Sequence, residues 1–353
     1  MGVITVNTSN KYNIIIDHGI LQEAGPMIHK AVPAGGKAML VSDDNVFPLY
    51  GEIVSKSLSN SGFEVFNFVL PHGESNKNLE NYGQLLNEMS IKHITRADVV
   101  VALGGGVVGD LAGFAAATYQ RGVSIVQIPT SLLAAVDSSV GGKTAVDLSA
   151  GKNQAGCFYQ PSLVICDTDV LSTLPEEEYR NGCAEIIKYA ILDGETFFSR
   201  IERTPVLQQY EDIITRCVKI KKELVEADEH DNGARMLLNL GHTIGHGVES
   251  CSNYTIPHGQ AVAMGLAAIV RAATEKSCCK QQLCASVCKL ISKYGLPVEL
   301  PFPYEELAKA ALSDKKNTST KMRLVVPFEL GDCEIIDING PEFSGWLKAG
   351  GAT

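Results

Sequence analysis

The chain has 353 residues, 45% of them hydrophobic and 20% charged, with 40 acidic against 30 basic side chains and a net charge of −10. Such a length exceeds one ordinary hydrophobic core and predicts two domains. The acidic balance excludes nucleic acid as a partner held on a general basic surface, so any anionic ligand must be met by local cations.

The longest apolar run, Ala261 to Val270, is too short to span a bilayer, and the alternating start Ile4-Thr-Val-Asn-Thr8 has no secretory signal pattern. Val6 stands where a myristoylation signal carries Ser or Thr, so neither a membrane role nor a lipid anchor is expected. A cytoplasmic protein follows, and its ten cysteines are expected as reduced thiols. Cys278, Cys279, Cys284 and Cys288 cluster without a Cys-x-x-Cys pair, and helical spacing makes them small packing residues.

Along the first half, strand and helix signals alternate. Lys11–Asp17, Lys37–Ser42 (ending in Asp43-Asp-Asn45) and Phe63–Leu70 read as strands, and Asn78–Ile91 has helical periodicity. Ala97–Leu103, Val123–Pro129 and Leu163–Cys166 read as further strands, the first a β-branched run suited to a buried parallel sheet. Strands separated by helix-length segments predict parallel pairing with crossover helices. From Thr173-Leu-Pro-Glu176, read as a capping-box start, helical patterns dominate. The predicted organisation is an α/β dinucleotide-binding domain over 1–172 and a mostly helical domain over 173–353.

Between the strongest strand and a helix pattern lies Leu103-Gly104-Gly-Gly106-Val107-Val108-Gly109-Asp110. Glycines there allow a phosphate to approach the backbone, and the helix's free amides favour negative charge. The spacing is not the common Gly-x-Gly-x-x-Gly fingerprint, and the motif comes late in the chain, so a distinct dinucleotide fold is expected. Asp43 and Glu74 could bind ribose hydroxyls, and Asn45 is grouped with them as a cofactor position.

Cations then collect beside polar motifs. Lys143 closes Asp137-Ser-Ser-Val-Gly-Gly-Lys143, and Lys152 and Asn153 follow Gly151. Lys188 comes three residues after Glu185, Lys221 precedes an acidic stretch, and Arg235 and Asn239 lead into a histidine motif, with Lys315-Lys316 near the end. In an acidic protein this points to a substrate bearing phosphate or carboxylate. His242 and His246, four apart, project from one helix face, and His258 follows shortly. With an acid such as Glu185, spacing suggests a divalent-metal site built on His242 and His246.

The strings Gly104–Asp110, Asp137–Lys143, Gly151–Asn153, Ala184–Lys188 and Leu238–His246 resemble, in order and spacing, those of the 3-dehydroquinate synthase family of sugar-phosphate cyclases. The resemblance runs over nearly the whole chain. It implies a dehydroquinate synthase-like fold and conversion of 3-deoxy-D-arabino-heptulosonate 7-phosphate to 3-dehydroquinate and phosphate in the shikimate pathway. The implied steps are transient oxidation by NAD, phosphate elimination, reduction and intramolecular aldol closure.

It further implies that Glu185, His242 and His258 hold Zn2+ (or Co2+), which moves His246 from the spacing-based pair to the substrate. The cofactor positions it implies are His72-Gly73-Glu74-Ser75-Asn76-Lys77, Gly106, Val107, Val108, Gly109, Asp110, Thr130, Ser131, Lys143, Lys152 and Val170-Leu171-Ser172-Thr173. Asp137, Lys152, Asn153, Lys188, Lys221, Arg235, Asn239 and one of Lys315 or Lys316 (Lys316 preferred) match its substrate pocket. Arg121 matches an arginine that reaches the substrate phosphate across a homodimer interface. Two alternatives stand beside this reading: another sugar-phosphate cyclase, or a metal- and NAD-dependent polyol dehydrogenase, which would leave the cation set without a purpose.

Overall fold

The computed structural model describes residues 2–314 and 321–353. The chain forms two compact units, one comprising Met1–Pro175 and Tyr210–His230, the other Glu176–Gln209 and Asp231–Thr353. The first opens with β1 (Gly2–Val6), β2 (Tyr12–Asp17), α1 (Ala24–Ala31), β3 (Lys37–Asp43), α2 (Glu52–Asn60), β4 (Glu64–Leu70) and α3 (Leu79–Ile91). It continues with β5 (Val99–Gly104), α4 (Gly106–Thr118), β6 (Ser124–Pro129), β7 (Lys143–Leu148), β8 (Gly151–Phe158) and β9 (Leu163–Asp167).

Seven of these strands pair in the order β1-β2-β9-β6-β5-β3-β4, and only the β1–β2 pair is antiparallel. All six residues of β5 are buried, as its uninterrupted apolar run requires of a central parallel strand. Strand order reverses between β3 and β5, and in open α/β sheets such a reversal opens a crevice at the carboxyl ends. α4 lies close against its neighbours at two of its three glycines. A Cβ on Gly113 would sit 2.4 Å from Thr144 Cγ2, and one on Gly109 would sit 2.8 Å from Gln127 Oε1.

The β7–β8 hairpin was not foreseen as strands; its glycines and polar residues hide the alternation. The Asp147 amide donates to the Lys77 carbonyl at 2.7 Å, which ties the hairpin to the turn before α3.

The second unit begins with α5 (Glu176–Asp193) and α6 (Glu195–Arg203), after which α7 (Tyr210–Ala227) returns to the first unit. Polar anchors fix that return: Glu226 accepts from the Asn7 amide at 2.6 Å, and Glu229 from the Ser9 amide at 2.9 Å. A single cut at 172 does not foresee it, since α7 has the same periodicity as its helical neighbours.

α5 starts at Glu176 rather than from a capping box at Thr173. The Thr173 hydroxyl instead donates to the Val170 carbonyl at 3.1 Å and lies 2.6 Å from the Tyr50 hydroxyl, closing a 3-10 turn after β9.

The second unit continues through α8 (His242–Cys251), α9 (His258–Glu275), α10 (Gln281–Lys293), α11 (Tyr304–Asp314), the hairpin β10 (Lys321–Glu329) and β11 (Asp332–Asn339), and α12 (Gly340–Ala349). Among the described residues no helix is long and apolar enough to cross a membrane. The ten cysteines are free thiols, with Cys284 buried and Cys278, Cys279 and Cys288 half-buried. Burial pushes the Cys288 thiol up to about 11, so it stays protonated and packs as a small apolar group.

Three glycines bring α5, α8 and α9 together. A Cβ on Gly265 of α9 would lie 2.0 Å from the carbonyl oxygen of Gly241, the residue before α8. One on Gly259 would lie 2.4 Å from the Asn181 backbone in α5. Gly241 also takes φ +78°, a region that suits glycine. Gly265→Ala should therefore force α8 from α9 and cost about 1–3 kcal/mol or more, read as a lowered thermal midpoint. The control Gly83→Ala, where a methyl meets nothing within 4 Å, should leave the midpoint unchanged or raise it slightly; equal midpoints for both variants would refute the steric argument.

Candidate functional site

In the second unit the three glycine contacts aim three side chains at one point. Glu185 sits on the inward face of α5 with no exposed surface, His242 opens α8, and His258 opens α9. Glu185 Oε1 lies 3.2 Å from His242 Nε2 and 3.2 Å from His258 Nε2. On the far side of each ring, His242 Nδ1 lies 3.2 Å from the Leu240 carbonyl and His258 Nδ1 lies 3.2 Å from Glu249 Oε2. Both outer partners can accept a hydrogen bond from Nδ1, and with the proton held there the lone pair of each Nε2 is turned inward. Two lone pairs and a carboxylate oxygen then share one buried point, an arrangement that only a cation relieves. Two imidazoles and a carboxylate are a fitting donor set for a zinc-like ion with an open position.

The ionisation states agree with this. Burial works against ionising Glu185, but the Lys188 ammonium at 2.5 Å from Oε2, then His242, hold it well below the usual carboxylate range. Burial lowers His242 and keeps it neutral. Burial also opposes charge on His258, yet its hydrogen bonds to Glu185 and Glu249 push it up to about 10. Without a metal, a proton occupies the place the ion would take.

His246 groups with Glu249 and His258, beside the trio of Glu185, His242 and His258. Its ring centre lies 5.6 Å from that of His242 and 6.2 Å from that of His258, at the border of the cluster. Arg235 is buried and Asn239 half-buried on the 3-10 turn that leads into α8. Glu249 is a residue the sequence reading missed. It lies three after His246 and seven after His242, on the helical face they share, which is the signal that could have found it.

In the first unit the expected cofactor residues gather at the carboxyl edge of the parallel sheet. Asp43 ends β3, His72–Lys77 follow β4, Gly106–Asp110 follow β5, Thr130 and Ser131 follow β6, and Val170–Thr173 follow β9. The glycine turn joins β5 to α4, whose N-cap is Gly105 with no side-chain cap, so its first amides face outward for an anion. Asp43 has a structural task as well: its carboxylate accepts from the Asn45 and Val46 amides at 3.0 and 2.9 Å. Asp44, unmarked in the sequence reading, holds His72 through Nδ1 at 2.8 Å.

Beneath this edge lies an ionic network around one buried lysine. Lys77 Nζ is 2.8 Å from Glu74, 3.3 Å from Asp110 and 3.9 Å from Asp147, and Lys152 Nζ is 3.6 Å from Glu74. Burial opposes the Lys77 charge, but Asp110, Glu74 and Asp147 raise it above its ordinary value. Burial pushes Asp110 up to about 6 against the pull of Lys77. Asp147, also missed, accepts from the Asn153 amide at 2.8 Å and holds that residue at φ +55° beside Lys152. Lys221 is pinned by the Asp137 carboxylate at 2.8 Å and its carbonyl at 2.7 Å.

Other expected residues fall elsewhere. Lys143 is exposed at the start of β7. Arg121, at φ +64°, lies just before β6, on the amino-terminal edge of the sheet and so at the opposite edge from the glycine turn. Lys315 and Lys316 lie outside the described residues.

Residues 67–181 match the family described as 3-dehydroquinate synthase N-terminal, and residues 182–317 match 3-dehydroquinate synthase C-terminal. The 3-dehydroquinate synthase of Desulforamulus reducens is 44% identical over 348 residues, spanning 95% of this chain and 96% of that protein. A solved 2-epi-5-epi-valiolone synthase from Streptomyces hygroscopicus subsp. jinggangensis, with NAD+ and Zn2+ bound, superposes with TM-score 0.87 at 26% identity over 98% of both chains. A 2-deoxy-scyllo-inosose synthase complexed with carbaglucose-6-phosphate, NAD+ and Co2+ shares the fold, with TM-score 0.87 at 21% identity over 98% of this chain and 99% of that one.

The protonation pattern has a measurable consequence. With His258 raised to about 10 and His242 lowered, the metal-free centre carries its proton on His258 at pH 8, below the folded value. Zinc uptake at that pH should release about one proton per chain. Calorimetric titration in buffers of different ionisation enthalpy reads that number, and zinc binding without proton release would contradict the pattern.

Proposed function

The chain belongs to the 3-dehydroquinate synthase family, and we propose that it converts 3-deoxy-D-arabino-heptulosonate 7-phosphate to 3-dehydroquinate and phosphate with NAD and a divalent metal as cofactors. The observation that carries the reading is the convergence of the two Nε2 atoms on Glu185 Oε1, each 3.2 Å away, in a chain that matches the family over both of its parts. Glu185, His242 and His258 are the proposed metal ligands, and the loops at the sheet's carboxyl edge the proposed cofactor site.

When bound, NAD supplies a reversible hydride acceptor and the metal supplies Lewis acidity. The chain's own contribution is charge and position. Lys188, paired with Glu185, keeps that carboxylate ionised as a ligand. Lys77 neutralises Asp110, Glu74 and Asp147 from within, so the cofactor edge does not repel an anion. Lys152, Asn153, Arg235 and Asn239 are assigned to the substrate's carboxylate, hydroxyls and phosphate, and His246 with Lys152 and Arg235 to positioning and neutralising the phosphate. Asp137 is held by Lys221 and presented in one orientation.

The cation set favours a substrate carrying both carboxylate and phosphate over sugar phosphates without the carboxylate. A polyol dehydrogenase would need neither anion site. The setting we infer is cytoplasmic, within aromatic amino acid biosynthesis.

Incubated with zinc and a trace of NAD, the protein should release phosphate from the seven-carbon acid phosphate over many turnovers per NAD, without net NADH. Sedoheptulose 7-phosphate and glucose 6-phosphate, run alongside, should release far less. Stoichiometric NADH without phosphate would refute the reading.

We further infer a homodimer in which Arg121 of each chain serves the other's site. Arg121→Ala and His258→Ala should each fall more than about 100-fold in kcat, and mixing the two inactive proteins should restore activity, because one of the two shared sites is then intact. Mixtures as inactive as their components would place Arg121 outside the partner's site.

A further inference from the structure

We propose that Glu249 is a positioning residue of the metal centre, whose carboxylate orients His258 so that Nε2, and not Nδ1, faces the ion. The proposal rests on the ligand assignment above. Glu249 lies on α8 with 2% of its surface exposed. A carboxylate is rarely buried unless a partner repays its lost hydration. One such partner is the His258 ring: Glu249 Oε2 lies 3.2 Å from Nδ1, while Nε2 of the same ring lies 3.2 Å from Glu185 Oε1.

A neutral imidazole carries one proton on two nitrogens. With a cation between Nε2 and Glu185, the carboxylate beside Nδ1 is the acceptor left to the ring's one proton, so it holds that proton on Nδ1 and leaves the Nε2 lone pair for the cation. It also makes the ring a stronger donor and restricts its rotation. His242 is treated differently, since its Nδ1 faces the neutral Leu240 carbonyl at 3.2 Å. Of the two imidazole ligands, His258 is therefore the one under electrostatic control, and the control comes from the helix that carries the other ligand. Cavity-free packing alone would be served as well by an apolar residue at 249.

Glu249, His246 and His258 also form a second group whose ligand atoms lie within 4.8 Å of one another. An ion there would have to displace the Nδ1 proton of a ring already committed through Nε2. The geometry thus assigns Glu249 to orientation and gives one ion per chain.

Zinc affinity, measured by competition with a chromophoric chelator on the wild-type chain, Glu249→Gln and Glu249→Ala, tests this together with the zinc count from native mass spectrometry. Gln keeps the acceptor but not the charge and should weaken binding about 10-fold; Ala removes both and should approach about 100-fold. One zinc per wild-type chain is expected. Nitrogen spectra of the zinc-loaded wild type should show His258 coordinated through Nε2 with a proton on Nδ1, a readout that needs no variant. Coordination through Nδ1, or undiminished zinc affinity in both folded variants, would overturn the proposal. So would a second zinc lost on substitution, or a lowered thermal midpoint of the zinc-free variants with unchanged affinity. Failure of the wild-type chain to bind zinc at all would instead strike the ligand assignment beneath it.

Discussion

Two imidazole lone pairs and one carboxylate oxygen pointed at a single buried place form an arrangement that cannot stand empty of charge. Left to themselves, Glu185 and the inward nitrogens of His242 and His258 would repel, and burial would deny them water as an alternative partner. The outer hydrogen bonds to the Leu240 carbonyl and Glu249 deepen the demand, because they fix which nitrogen turns inward. A positive ion satisfies the arrangement. In the ion's absence, hydrogen bonds to Glu185 and Glu249 favour a proton on His258 in its stead.

That demand explains why the helices carrying these groups are lined with glycine where they touch. Side chains of three different helices meet at one atom only if the backbones approach more closely than alanine allows. Gly265 against the Gly241 carbonyl and Gly259 against Asn181 give that approach one residue away from His242 and within one turn of Glu185. The same device operates in the first unit, where Gly109 and Gly113 seat α4 against Gln127 and Thr144 so that the helix's first amides emerge beside the end of β5. In both units the precision of the polar site is set by residues that have no side chain.

Much of this was legible in the sequence. The β-branched run within Ala97–Leu103 reads as a buried strand and the glycines after it as a junction with a helix, and both are found there. Helical periodicity put His242 and His246 on one face, and it could not bring in a side chain from another helix, because a period describes one helix at a time. His258, the third side chain of the cluster and a proposed ligand, comes from a different helix, and nothing in local spacing distinguishes it from a neighbour. Asp147 and Glu249 escaped for a related reason: each works through a contact with another element or across a hairpin, and the helical face Glu249 shares with His242 and His246 marks its position but not that partner. The return of α7 to the first unit depends on Glu226 and Glu229 meeting the amides of Asn7 and Ser9, contacts separated by more than two hundred positions. Lys315 and Lys316 lie outside the described residues, and their place stays a matter of resemblance.

The cofactor edge raises an electrostatic problem of its own. A dinucleotide is an anion, yet Asp43, Asp44, Glu74, Asp110 and Asp147 lie on or beside the segments assigned to it, in a chain already acidic overall. Lys77 resolves much of it from below: a single buried ammonium is shared among three carboxylates, which keeps its own charge and partly quenches theirs. Asp43 and Asp44 spend theirs on the Asn45 and Val46 amides and on His72. The α4 amides then remain as outward donors for phosphate. Because Lys152 touches Glu74 and Asp147 holds Asn153, the network that neutralises the cofactor edge also positions residues assigned to the substrate. Removing the Lys77 charge would therefore leave three carboxylates without their shared partner and loosen the segments carrying Lys152 and Asn153 with them.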